Sequence, residues 1–188
     1  MPYAFSLPVA GTGVFNFSLM DKLKLRLMYQ EALQRLKDAE TLSQVIPLGE
    51  RTDSAYILQL LGLELLLKIV FETALSKPGV GHKYEKLFGE LPQSLQTRLL
   101  ASANKRVQHS ELAINHERVL EEWGKNFVDL RYPWERYATL SEEQYSSLGE
   151  EWVSKGAPLE EATFRYHPEE LFSFIEALRI VAAEVANL

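Results

Sequence analysis

The stretch Tyr56-Ile-Leu-Gln-Leu-Leu-Gly-Leu-Glu-Leu-Leu-Leu-Lys-Ile-Val-Phe-Glu-Thr-Ala-Leu75 decides the fold. It is about as long as a membrane span and strongly apolar. It also carries Gln59, Glu64, Lys68 and Glu72, and the charges recur at steps of four. That spacing draws a polar seam down one side of a helix that is apolar over most of its circumference. Such a helix is the buried centre of a bundle rather than a span. Asp53 or Ser54 supplies a cap at its start. Lys77-Pro-Gly-Val-Gly-His82 closes it, because Pro78, Gly79 and Gly81 interrupt any helical continuation.

On the N-terminal side, Leu23, Leu27, Ala32, Leu33 and Leu36 place a helix over residues 19 to about 42. Before it, residues 1–18 alternate apolar and polar around Gly11-Thr-Gly13, which predicts an extended arm or a short β-hairpin. On the C-terminal side, a short helix spans His82 to Glu90, with Tyr84, Leu87 and Phe88 inward. Pro92 breaks it, and a further helix runs from Gln93 to about Gln108 with Leu95, Leu99 and Leu100 inward. A long amphipathic helix covers Glu111 to Tyr132. Residues 139–164, rich in Ser, Gly and acidic side chains, read as irregular, with Tyr145 and Trp152 packing back. Pro168 then opens a last helix, Glu169 to Asn187, in its favoured first-turn position. The expectation is an all-α, up-and-down bundle of five or six helices forming one domain over residues 19–188.

Composition narrows the chemistry. The 188 residues are 46% hydrophobic and 24% charged, with a net charge of −6. An acidic chain does not coat nucleic acid over its whole surface, so any such contact needs a local basic patch. Cysteine is absent, which excludes disulfides, zinc–thiolate sites and thiol nucleophiles. His82, His109, His116 and His167 have no metal-ligand spacing, and neither a metal nor a cofactor is expected. The serine elbow, the phosphate-binding loop and the dinucleotide fingerprint are all missing. The N-terminal segment lacks the basic region of a signal peptide, so the expected location is the cytoplasm, with no membrane partner.

One other stretch draws chemical interest: Asn126-Phe-Val-Asp-Leu-Arg-Tyr-Pro-Trp-Glu-Arg-Tyr137. Val119, Leu120, Trp123, Phe127, Leu130 and Trp134 share a helical face, and Pro133 ends or kinks that helix just after Arg131. Lys125, Arg131 and Arg136, interleaved with Tyr132, Trp134 and Tyr137, form a mixture suited to phosphates and bases. It also suits a helix end packed on a neighbour, and Asp129 and Glu135 partly neutralise it. Glu64 and Lys68 stand one turn apart in the favoured order for a pair. Either they form a partly exposed seam, or Glu64 points inward and holds Arg131. The expectation set here is that Arg131 leans inward and meets Glu64 or backbone carbonyls freed by Pro133.

Three pieces together, Leu61-Gly-Leu-Glu-Leu-Leu-Leu-Lys68, Gly81-His-Lys-Tyr-Glu-Lys-Leu-Phe88 and Arg131-Tyr-Pro133, resemble the HEPN (higher eukaryotes and prokaryotes nucleotide-binding) domains. The resemblance covers roughly Leu19 to Tyr137. It implies a small helical bundle, commonly a homodimer, of the kind found in toxin–antitoxin, phage-defence and RNA-processing proteins. Active members pair an arginine with a histidine four to six residues later and cleave RNA without metal. Arg131 matches the arginine, but Arg136, Tyr137 and Ala138 stand where the histidine belongs. The implied function is a divergent, non-catalytic HEPN-like protein binding RNA, a nucleotide or a partner protein in prokaryotic defence or stress. The alternatives are a metal-independent ribonuclease pairing Arg131 with a spatially recruited His82 or His116, and a purely structural protein-interaction module. The binding candidates are Arg131, Tyr132, Glu135, Arg136, Tyr137, Glu64, Lys68 and His82.

Overall fold

A computed structural model describes residues 19–47, 52–107 and 109–187. The arm or hairpin expected over residues 1–18 lies outside the described residues. The described residues form an all-α bundle of seven helices: α1 Leu19–Val45, α2 Ser54–Leu75, α3 Tyr84–Gly89, α4 Gln93–Asn104, α5 Glu111–Asp129, α6 Glu142–Ser154 and α7 Pro168–Val185. Two short 3-10 helices, Pro133–Tyr137 and Leu159–Glu161, flank α6.

The central position of α2 follows from its composition. Leu60, Leu63, Leu66, Leu67, Ile69 and Val70 have no exposed surface. By length and apolarity alone this helix is able to cross a membrane; here α1, α3, α5 and α7 pack against it instead. Each such fully buried aliphatic side chain contributes about 1.5–3 kcal/mol relative to exposure. Gly62 lets α1 lie close: a Cβ there would come within 2.8 Å of the Leu36 side chain. The other side of the core is aromatic. Phe174 of α7 meets Phe88 edge-on at 5.7 Å and Trp123 at 5.9 Å, and all three rings are buried.

Four expectations need correction. The all-α bundle stands, but among the described residues there are seven α-helices, one beyond the expected five or six, because the segment read as irregular contains α6. Its Ser141 and Gln144 form a reciprocal capping box, a Ser-x-x-Gln signal that starts a helix despite the polar composition. The stripe on α1 is also rotated: Leu25, Ala32 and Ala39 are buried, whereas Leu23 and Leu27 are exposed. Third, α5 ends at Asp129 rather than Tyr132 and is interrupted at Asn115, whose φ of −150° is not helical. The Asn115 Oδ1 accepts from the Arg118 amide at 3.1 Å, so Asn115 acts as an internal cap. Finally, Trp134 does not continue the α5 face. Pro133 starts a 3-10 helix, and Trp134 is left 65% exposed.

Candidate functional site

Among the described residues Glu64 is the one buried carboxylate, 5% exposed. A carboxylate taken out of water needs donors to offset its lost hydration. Three are supplied. Lys68, one turn along α2, reaches Oε1 at 2.7 Å. His82 Nδ1 lies 2.6 Å from Oε2, and the Tyr84 hydroxyl donates to the same oxygen at 3.2 Å. Burial, then the charge of Glu64, push the Tyr84 phenol far above its ordinary range, so it stays protonated as a donor.

The loop that carries His82 is pinned from two sides. The Gly79 amide donates to Glu72 at 3.3 Å, and a Cβ on Gly79 would come within 2.9 Å of the Lys68 stem. On the far side, Gly124 of α5 sits directly against the loop. A Cβ there would lie 2.5 Å from the His82 carbonyl oxygen, and that neighbour is backbone and cannot rotate away. Gly124→Ala is therefore expected to cost about 1–3 kcal/mol in denaturant melts, the range for overpacking. It should also displace His82 from Glu64. A wild-type melt for this variant would count against the close approach.

The geometry makes His82 a directed group. A carboxylate only accepts, so Nδ1 is the donor and Nε2 has no hydrogen-bond partner among the described residues. The side chain remains 40% exposed. It lines a groove of about 610 Å³ with Lys83, Lys86, Lys125, Gly124 and Val128. Glu85, Glu90 and Glu121 share that rim; Glu90 is engaged by Lys77 at 2.5 Å. The His82 ring also packs on Phe127, with centroids 5.1 Å apart. Arg131, one turn further along, lays its guanidinium over the same Phe127 ring at 5.1 Å.

Arg131 thus departs from the inward pairing expected for it. Glu64 is taken by Lys68, His82 and Tyr84, and Arg131 is exposed. The reason lies in the spacing: Phe127 and Arg131 are four apart across the end of α5, so the guanidinium folds back over the ring of the helix's last turn. The seam pairing of Glu64 with Lys68 is the one that forms, though more deeply than a surface seam, with Lys68 only 16% exposed.

The basic and aromatic cluster read from 125–137 is split. Arg131 and Lys125 belong to the His82 side. Arg136 turns away, pairing with Asp129 at 3.2 Å and lying over Phe164 at 5.2 Å. Tyr137 meets Tyr145 edge-on at 5.2 Å. Tyr132 and Glu135 are exposed, with no side-chain role in either group. His116 packs against Phe88 at 5.5 Å and does not join Glu64. Lys83, Lys86 and Tyr84 were not singled out as site residues, although all three lie in the Gly81–Phe88 piece.

A second polar cluster has a positional role. Glu122 on α5 receives His167 at 2.6 Å, Arg165 at 2.9 Å and Arg118 at 3.1 Å. Around it, Trp123 donates to the Tyr166 carbonyl and Asn126 to the Arg165 carbonyl. These bonds fasten residues 165–167 to α5 just before α7 begins. Among the described residues no three His, Asp or Glu side chains gather as a metal would require.

No family model, no curated protein and no solved structure matches this chain.

Proposed function

We propose that the chain is a divergent HEPN-like domain that binds RNA or a nucleotide through its phosphates, on the face shared by the His82 groove and Arg131. The observation that carries this reading is the placement of His82. It is held from behind by buried Glu64 and lines a groove with three lysines that have no ion-pair partner among the described residues. Arg131 adds a fourth cation across Phe127, also without a carboxylate partner there. In a protein of net charge −6, these four cations outnumber Glu85 and Glu121, the two carboxylates of the same rim with no ion-pair partner among the described residues, and they supply the local excess of positive charge that phosphate binding needs. A guanidinium and three ammonium groups recognise charge and backbone rather than sequence.

A second reading is supported by the Glu64–His82 bond itself. A carboxylate behind Nδ1 orients an imidazole for proton transfer at Nε2, which is the partner that a ribonuclease based on Arg131 would require. One assay separates the two. Labelled single-stranded RNA is titrated with protein at low salt, with chelator present, and its length is then checked. Binding without cleavage is expected, weakened roughly tenfold by Arg131→Ala and by Lys83→Ala/Lys125→Ala, and steeply reduced by salt. Arg131→Ala should cost under about 1 kcal/mol of stability, as exposed cation–π contacts do. Cleavage abolished by both Arg131→Ala and His82→Ala would replace the first reading with the second. The absence of any binding to RNA or nucleotide would remove both and leave a protein-interaction module.

A further inference from the structure

On the other side of the 3-10 helix at Pro133–Tyr137 lies a second cleft, of about 570 Å³, that the phosphate reading does not use. Five of its lining side chains are aromatic: Tyr137, Tyr145, Trp152, Phe164 and Tyr166. They come from the 3-10 helix, from α6 and from the segment before α7, so the cleft exists only because α6 folds back. We propose that this cleft is a nucleobase site, and that its preferred occupant is guanine.

The rings are held in place before any ligand arrives. Tyr137 and Tyr145 meet edge-on at 5.2 Å. The Trp152 indole donates to the Pro158 carbonyl at 3.0 Å, which fixes the ring against the turn that follows α6. The Tyr166 hydroxyl donates to Asp53 at 2.9 Å, and Phe164 is covered on one side by Arg136 at 5.2 Å. Aromatic faces fixed in this way lose little freedom on binding, and a flat base is what they stack with best. The volume falls within the range of small-molecule sites.

The rim selects the base. Ser146, Glu151 and Thr163 line the cleft, and their side chains form no hydrogen bond or ion pair among the described residues. Glu161 and Lys155, also on the rim, satisfy each other at 3.1 Å. The free carboxylate of Glu151 accepts only, so it suits two adjacent N–H donors on one edge. Guanine presents such an edge, N1–H beside the exocyclic amine; adenine and the pyrimidines do not.

Gly149 provides a clean test. It lines the cleft, yet a Cβ added there meets nothing within 4 Å. Gly149→Leu therefore begins in open space beside the cleft and is expected to occlude it with the helix intact, which circular dichroism checks. The full chain is titrated with guanosine, inosine and adenosine, with tryptophan fluorescence and calorimetry as readouts. Nucleosides carry no phosphate, so the result does not depend on the His82 groove. Guanosine is expected to bind and quench fluorescence. Inosine, which lacks the exocyclic amine, and adenosine should each bind at least about tenfold more weakly. Gly149→Leu should abolish binding, and Glu151→Gln should erase the preference for guanosine. No guanosine binding at millimolar concentration, binding indifferent to Gly149→Leu, or equal binding of adenosine would each overturn the proposal.

Discussion

Replacing Glu64 with alanine is expected to lower stability by about 3–5 kcal/mol, the cost of removing one member of a buried charged pair. The change leaves Lys68, itself mostly buried, without its counter-charge. It also leaves the Tyr84 hydroxyl with only the Leu60 carbonyl, at 3.4 Å. Glu64→Gln, which keeps the shape and an acceptor for Tyr84, should cost less. Double-mutant cycles read from denaturant melts then locate the partners. Glu64 with His82 should couple by about 0.5–3 kcal/mol, whereas Glu64 with Arg131 should be additive within about 0.5 kcal/mol. Strong coupling between Glu64 and Arg131 would contradict the arrangement described here.

The second large effect is expected in alkali. Burial is the leading cause that pushes the Tyr56 and Tyr84 phenols well above their ordinary value, and both stay protonated in the folded chain. In the unfolded chain they ionise near pH 10. Above that pH the folded state binds more protons than the unfolded state, so stability falls as pH rises; below it these groups contribute no slope. Each tyrosine contributes about 1.4 kcal/mol per pH unit, and the two together about 3 kcal/mol per pH unit. Tyr166 is raised for the same leading reason but is only half-buried, and adds less. Melts between pH 9 and 11, where the slope should appear at about pH 10, test this. Tyr84→Phe should roughly halve the slope. An unchanged slope in Tyr84→Phe/Tyr56→Phe would assign the alkaline loss to lysines instead.

The bundle was legible because its periodicity is strong. The apolar faces of α2, α5 and α7 and the breaks at Pro78, Pro92 and Pro168 each have one local cause. α6 was hidden because its helix rests on a cap rather than a stripe: it has no buried residue at all. The misplacement on α1 has a similar origin. Its leucines outnumber its buried positions, so small Ala32 and Ala39 mark the packed face better than Leu23 and Leu27 do.

The site was half legible. Glu64, Lys68, His82 and Arg131 all carried signals in the sequence. Their pairing did not, because partner choice depends on how the loop closes. Gly124 decides that closure from α5, far along the chain, and nothing local about a glycine in a helix announces the backbone it must admit. The proline after Arg131 suggested an inward turn. The ring of Phe127 beneath it was the stronger local fact.

The fastening of residues 165–167 by Glu122, Trp123 and Asn126 has a thermodynamic consequence. The chain is locked to α5 at residues 165–167, immediately before α7, and Arg136, paired with Asp129 from the 3-10 helix ahead of α6, anchors its other end. The stretch between them is closed at both ends and buries little. It is therefore expected to open while α2, α5 and α7 remain native, read as early loss of hydrogen-exchange protection over α6. Because the aromatic cleft is partly made of that unit, whatever settles there also stabilises it against local opening. A base stacked on rings already in place adds its binding free energy to that unit alone, and the seventh helix is insulated from the gain.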